Sequence, residues 1–212
     1  MNLFSIDDLI FKNKTVLVRV DLNTSYNKST RKIEDHERLR EHSKTINELS
    51  EKKAKVVVLA HQGRKGNPDF THLDQHAILL SKYIGKKVFF INDIIGIKAK
   101  NRIKSMKNGE IIILDNVRLL DEEVENKTGI EHSKGKLVTN LFPLADIFVN
   151  DAFSVAHRSH ASTVGFTPVL PSAAGRIMVR EWSSISKIES ETCSIPPVVY
   201  VLGGNKPDDC LL

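Results

Sequence analysis

The chain has 212 residues, 41% of them hydrophobic, and a formal charge of +5. That is enough for one sizeable core and about one and a half domains of ordinary length. No apolar run of about 18 residues occurs and the opening MNLFSIDDLIF carries early acids, so neither a membrane span nor a secretory leader is expected and a cytoplasmic location is.

Cys193 and Cys210 form no CxxC pair and suit a reducing compartment as plain thiols. The positive charge admits nucleic acid, anionic metabolites or a lysine-rich surface as explanations. Lysine pairs such as Lys52 with Lys53 and Lys86 with Lys87 fall at element ends, whereas Arg38, Arg64, Arg118 and Arg158 fall in or near polar loops. That segregation favours a small anion. A nucleic-acid groove needs stacking aromatics, and most of the one Trp, three Tyr and nine Phe lie in apolar runs, so no nucleic-acid partner is expected.

Residues 14–20, KTVLVRV, read as a β-branched strand that stops at Asp21 and Asn23 and gives way to a long polar loop. Asp35 is placed to cap a helix over 36–50 with Leu39, Ile46 and Leu49 on one stripe. Arg38 then sits in the first turn, where free N–H groups and a guanidinium act together on an anion; a solvated surface arginine is the alternative. Residues 55–60, KVVVLA, form a second strand, apolar throughout as a parallel sheet covered on both faces requires, and it ends in His61 and Arg64. A helix is predicted over 73–83 and a strand over 87–91. His72 and His76 are four apart, but no third ligand lies at a suitable spacing, so they are expected to be solvated and no metal is assigned.

A short amphipathic helix is predicted over 97–106, then a strand over 110–114 that ends in Asn116 and Arg118. The acidic segment DEEVENKTG reads as mobile; a helix is predicted over 132–141 and a strand over 146–149. That strand runs into Asn150 and Asp151, with His157, Arg158 and His160 close behind. A connecting helix is predicted over 171–189, and after Pro196 and Pro197 a strand over 198–202 runs into Gly203, Gly204, Asn205 and Lys206.

Strand and helix alternate without a repeat, which predicts an α/β fold: a doubly wound parallel sheet with helices on both faces, Rossmann-like. Ligands bind beyond the carboxyl ends of such strands. Four strands end in Asp21/Asn23, His61/Arg64, Asn116/Arg118 and Asn150/Asp151 with Arg158, and several converging guanidiniums imply a ligand with more than one anionic group. No GxGxxG or Walker A stretch is present; Gly203, Gly204 and Lys206 offer a weak glycine-and-lysine phosphate turn.

VRVDLN at 18–23, AHQGR at 60–64, DNVR at 115–118, VNDAFSVAHRSHAST at 149–163 and VLGGNK at 201–206 give the chain its resemblance to phosphoglycerate kinases, the archaeal type in particular. The resemblance implies the first of that fold's two domains. Residues 1–180 would be the N-terminal 3-phosphoglycerate-binding domain, 171–195 a connecting helix and hinge, and 196–212 the first strand and glycine turn of a C-terminal nucleotide domain. It implies reversible phosphoryl transfer between 1,3-bisphosphoglycerate with ADP and 3-phosphoglycerate with ATP, with Mg2+ as cofactor of the nucleotide, by a monomer whose domains close on each other. By motif match His61, Arg64, Arg118 and Arg158 would hold the substrate phosphate, Asp21 and Asn23 its hydroxyl, and Arg38 its carboxylate and the phosphoryl group in transit. Gly203, Gly204 and Lys206 would reach the nucleotide.

The chain also departs from that pattern. Ser25 stands where the family usually has proline, Asn205 and Pro207 flank Lys206, and Cys210 occupies the place of a second lysine. A complete member is nearly twice as long, so this chain alone is expected to be inactive. A non-catalytic phosphoglycerate-binding protein is the alternative.

Overall fold

The computed structural model describes residues 3–189. The strand expected at 198–202, Gly203, Gly204, Lys206 and both cysteines lie outside the described residues. By its contacts the chain divides into Met1–Val179 and Arg180–Leu212.

Six strands form one parallel sheet: β1 (Thr15–Arg19), β4 (Lys55–Leu59), β5 (Val88–Ile91), β6 (Ile111–Leu114), β7 (Ile147–Asn150) and β8 (Ser172–Ala174), in the order β5-β6-β4-β1-β7-β8. Two-residue strands β2 (Tyr26–Asn27) and β3 (Lys32–Ile33) pair antiparallel within the loop that follows β1. Helices α1 (Glu37–Glu51), α2 (Asp74–Ile84), α3 (Ile97–Lys104), α4 (Gly129–His132), α5 (Lys136–Leu141), α6 (Ala161–Val164) and α7 (Arg176–Glu189) complete the fold.

The period of two along each strand explains why the strands are apolar throughout. Val16 and Val18 of β1, Val56 and Val58 of β4, and Ile111 and Ile113 of β6 pack on one face with Leu39, Ile46 and Leu49 of α1 and Leu80 of α2. Leu17, Val57 and Leu59, Ile112 and Leu114, and Phe148 of β7 point the other way, against Ile103 of α3, Leu137 and Leu141 of α5, and Phe166. Each such side chain contributes about 1.5–3 kcal/mol on burial, so a charge at an inward position of a central strand needs a particular reason. Arg19 is such a charge.

Three local expectations are corrected. His36, not Asp35, caps α1: its Nδ1 accepts from the Arg38 N–H at 3.2 Å, while Asp35 turns to Arg40 at 3.7 Å and Lys82 at 3.8 Å. The helix expected over 132–141 is two helices broken before Gly135; α4 opens with a capping box between Thr128 and Glu131. The segment 171–189 is not one helix, because Ser172–Ala174 first pairs with β7 as the edge strand β8. Arg176 then anchors the start of α7, donating to Glu48 at 2.5 and 2.8 Å and to Asp7 at 2.5 and 2.7 Å.

From β1 the chain moves to β4 on one side, and from β6 it crosses to β7 on the other. The carboxyl ends of β1 and β7 therefore flank a topological switch point, where an open α/β sheet leaves a crevice.

Candidate active site

A cleft of about 290 Å³ opens at that switch point, and Asp21, Asn23, Arg38, His61, Arg64, Arg118 and Arg158 all line it. The seven residues singled out from four separate strand ends and from the first turn of α1 thus meet in one place. Gly63, Asn67, Asp69, Ser154 and Val155 also line it.

One end of the cleft is built on Asp21, which is buried. Its Oδ1 accepts from the Asn23 N–H at 3.0 Å, and its Oδ2 accepts from Arg38 Nη1 at 2.6 Å and from the Ser154 hydroxyl. Asn23 Oδ1 accepts from the Gly63 N–H at 2.8 Å, which leaves its amide N–H groups for a ligand. Gly63 has φ +64°, and a Cβ there would stand 2.5 Å from the backbone of Asp69. Only glycine lets the loop after β4 fold this tightly.

The other end is cationic. Arg118 is buried and donates to the Gly63 carbonyl, and its backbone is held by Asn116, whose Oδ1 accepts from the Arg118 N–H at 3.1 Å. Asn116 in turn donates to the carbonyls of Gln62 at 2.7 Å and Thr71 at 2.9 Å, so the loops after β6 and β4 are tied together. Arg158 donates to His157 at 3.2 Å and Arg64 is exposed; among the described residues neither meets a carboxylate. Three guanidiniums facing one cleft repel one another, and burial with the charges of Arg158 and Arg19 pushes Arg118 below the usual guanidinium range. An anion relieves both effects.

His61 is buried beside this end, and burial plus the charges of Arg19, Arg118 and Arg158 holds its pKa far below the ordinary value. Burial and Arg118, Arg158 and Arg19 lower His160 to about 4, so its 3.8 Å approach to Glu123 is not an ion pair at neutral pH. The ring of His61 therefore enters the site as a neutral hydrogen-bonding group.

A larger hollow of about 420 Å³ adjoins the cationic end and shares Arg64, Arg118 and Arg158 with it, adding Lys65, Asp121 and His160. His72 and His76 are not both solvated as expected. His76 is fully buried with Nε2 3.2 Å from Gln62, and His72 bonds through Nδ1 to the buried Asp115 at 2.5 Å. Among the described residues no group of three or more His, Cys, Asp or Glu is placed to hold a metal ion, and no helix is long and apolar enough to cross a membrane.

Sequence reasoning overlooked Arg19, Glu123 and Ser154. A charge inside VLVRV was the available signal for Arg19; Glu123 is fully buried although its acidic stretch reads as solvated.

The class of protein is a parallel α/β domain with a guanidinium-lined crevice at its switch point, an arrangement with the chemistry to hold a small, multiply anionic ligand. The profile of the phosphoglycerate kinase family matches residues 6–212, and the chain belongs to that family. It is 46% identical over 207 residues to the phosphoglycerate kinase of Sulfolobus acidocaldarius, covering 98% of this chain and 49% of that protein. It is 47% identical over 210 residues to that of Methanosarcina mazei, covering 99% and 49%. The crystal structure of phosphoglycerate kinase from Pyrococcus horikoshii OT3 superimposes with a TM-score of 0.92 at 40% identity, over 98% of this chain and 50% of that one. The chain thus spans about half the length of the relatives it matches.

Proposed function

We propose that this chain is the phosphoglycerate-binding half of a phosphoglycerate kinase. The observation that carries the reading is the division of one cleft into two unlike ends: Arg64, Arg118, Arg158 and the neutral His61 at one, and Asp21, Asn23 and Arg38 at the other. 3-Phosphoglycerate has the same division. Its phosphate would sit among the three arginines, its hydroxyl between Asp21 and Asn23, and its carboxylate near Arg38.

The acceptor carboxylate is already ionised at neutral pH and needs no general base. Its oxygen bonds to the terminal phosphorus of ATP as the bond from that phosphorus to ADP breaks. The protein's part is to position the groups and to stabilise charge on the equatorial oxygens. Arg38, half exposed at the start of α1, is the group we assign to that charge.

MgATP or MgADP would be met by Gly203, Gly204 and Lys206 and by the remainder of a full-length kinase. Residues 1–180 would serve as the phosphoglycerate domain, 171–195 as connector and hinge, and 196–212 as the beginning of the nucleotide domain. We place the protein in the cytoplasm as a monomer in glycolysis and gluconeogenesis, with turnover only when both halves are present.

The test is a ligand series on the folded chain. 3-Phosphoglycerate should bind at least about tenfold more tightly than inorganic phosphate, because hydrogen bonds to charged groups contribute about 1.5–3 kcal/mol each, and glycerate should bind weakest. Equal affinity for 3-phosphoglycerate and inorganic phosphate would reduce the cleft to a general anion site.

A further inference from the structure

Arg19 belongs to β1 and is fully buried, and it does not line the cleft. A buried guanidinium is tolerated only when its donors are matched, so its partners indicate its use. Nε donates to Ser162 Oγ at 2.8 Å, Nη1 donates to the Val20 carbonyl, and Nη2 lies 3.0 Å from His61 Nδ1. A guanidinium has donors and no acceptor and keeps its protons in proteins. In the last contact the arginine must therefore donate and His61 Nδ1 must accept.

The far side of Arg19 is fixed in the same sense. The Ser162 hydroxyl has one proton and donates it to Glu123 Oε1 at 2.6 Å, while the Ser162 N–H donates to Oε2 at 2.9 Å. The hydroxyl oxygen is then the acceptor for Arg19 Nε. Every bond from Glu123 through Ser162 and Arg19 to His61 has a set direction. An imidazole whose Nδ1 accepts carries its proton on Nε2, and that nitrogen has no partner among the described residues while the ring lines the cleft.

We propose that Arg19, held by Ser162 and Glu123, is a positioning residue that fixes His61 as the Nε2–H tautomer, so that a neutral ring presents an N–H donor to the phosphate of the ligand. The inference rests on the reading of this cleft as a phosphoglycerate site. It explains why a histidine sits among arginines. Protonation would add a further positive charge to a group already crowded by Arg19, Arg118 and Arg158, with His160 neutral in the same range and Asp21 and Asp69 the carboxylates lining the same cleft. A neutral donor also keeps its hydrogen bond across about pH 5 to 8, the range in which an ordinary histidine switches.

The experiment is long-range proton–nitrogen correlation NMR on the His61 ring of the 15N-labelled chain, with and without 3-phosphoglycerate, across about pH 5.5 to 8. The result expected is an unprotonated Nδ1 and a protonated Nε2 at every pH. A ring protonated on Nδ1, or an imidazolium in this range, overturns the proposal without any variant. The second arm uses Arg19→Leu with Glu123→Gln, which removes the guanidinium and the buried charge it would leave behind. There His61 should populate both tautomers and protonate as pH falls. Affinity for 3-phosphoglycerate relative to the parent should drop at least about tenfold at pH 8 and recover on acidification; taking the ratio cancels the ligand's own ionisation near about pH 6. A ratio independent of pH in a folded variant contradicts the proposal. If the parent shows the Nε2–H ring but binds no phosphoglycerate, the functional reading fails and the positioning role stands. Binding with Nδ1 protonated has the opposite meaning.

Discussion

Arg38 donates to Asp21 across 2.6 Å, with the carboxylate buried and the guanidinium 43% exposed. The same Nη1 also reaches the Asn23 carbonyl at 3.3 Å. The charge assigned to the transferred phosphoryl group is thus held at the hydroxyl end of the cleft, on a partner that cannot leave, by a side chain that can. A ligand carboxylate entering there has to share the guanidinium with Asp21.

The first prediction concerns that sharing. In this chain joined to the rest of a phosphoglycerate kinase, Arg38→Ala should lower turnover by about 10³-fold or more, as loss of an arginine does in related phosphoryl transfers. Affinity for 3-phosphoglycerate should change by less than about tenfold, since an exposed ion pair contributes little to ground-state binding. Steady-state kinetics beside equilibrium titration separate the two. Equal losses in both would place Arg38 in substrate binding alone.

A second prediction concerns what lies beneath Asp21. Its N–H donates to His42 Nε2 at 3.2 Å, so His42 carries its proton on Nδ1 and gives it to Asp151 Oδ2 at 3.2 Å. Asp151 Oδ1 accepts from the N–H groups of Ile177 at 2.8 Å and Met178 at 3.3 Å in the first turn of α7. Asp151→Ala leaves the buried His42 and the two half-buried N–H donors unmatched and should destabilise the fold by about 2–4 kcal/mol in urea unfolding. Gly175→Ala should do similar damage, because its Cβ would stand 2.3 Å from Asp151 Oδ1. A loss below about 0.5 kcal/mol in either variant would show that this contact is not a support of the fold.

Acid should weaken the fold in a particular window. Burial lowers His76 to about 4 and burial with neighbouring arginines lowers His160 to about 4. Both stay neutral in the native state where the unfolded chain, with a histidine value of about 6.5, takes up protons. The unfolded state therefore binds more protons below about pH 6.5, and stability falls from there down to about pH 4. His76, fully buried, contributes a loss on the order of 3 kcal/mol. Replacement by Gln should flatten the urea-midpoint profile between these pH values. A slope unchanged in His76→Gln would contradict the assignment.

Five of the six strands of the sheet were legible because they are short, largely apolar runs rich in β-branched and aromatic residues, and the polar ends of four of them located Asp21, His61, Arg118 and Arg158. What escaped did so for physical reasons. The strand β8 is Ser-Ala-Ala, small residues with no strand preference, and it forms because Phe148, Val149 and Asn150 of β7 offer a free edge. Glu123 lies in a run of acids, and its burial is offset by Arg19 and Ser162, both distant in sequence, and by Arg118. His76 is buried by packing under the loop after β1, which spacing within its own helix could not reveal. Contacts across a long sequence separation were the common missing element, whereas position at a strand end was readable from neighbours.

Affinity should also fall with salt if, as proposed, the ligand is held by the guanidiniums of Arg64, Arg118 and Arg158 at a cleft open to solvent. Binding constants for 3-phosphoglycerate at about 0.05 and 0.5 M salt should differ by at least several-fold, screening being nearly complete at the higher value. Indifference to salt would argue that the arginines are not the principal contacts.

The most direct test of the account is a calorimetric titration of the chain with 3-phosphoglycerate beside Arg64→Ala. Arg64 is exposed and its guanidinium pairs with no described residue, so its loss should leave the melting temperature unchanged. Saturable one-to-one binding, weakened by about ten- to a hundredfold in the variant, is the expected result. Binding of equal strength in parent and variant, or none by a parent shown to be folded, would contradict it.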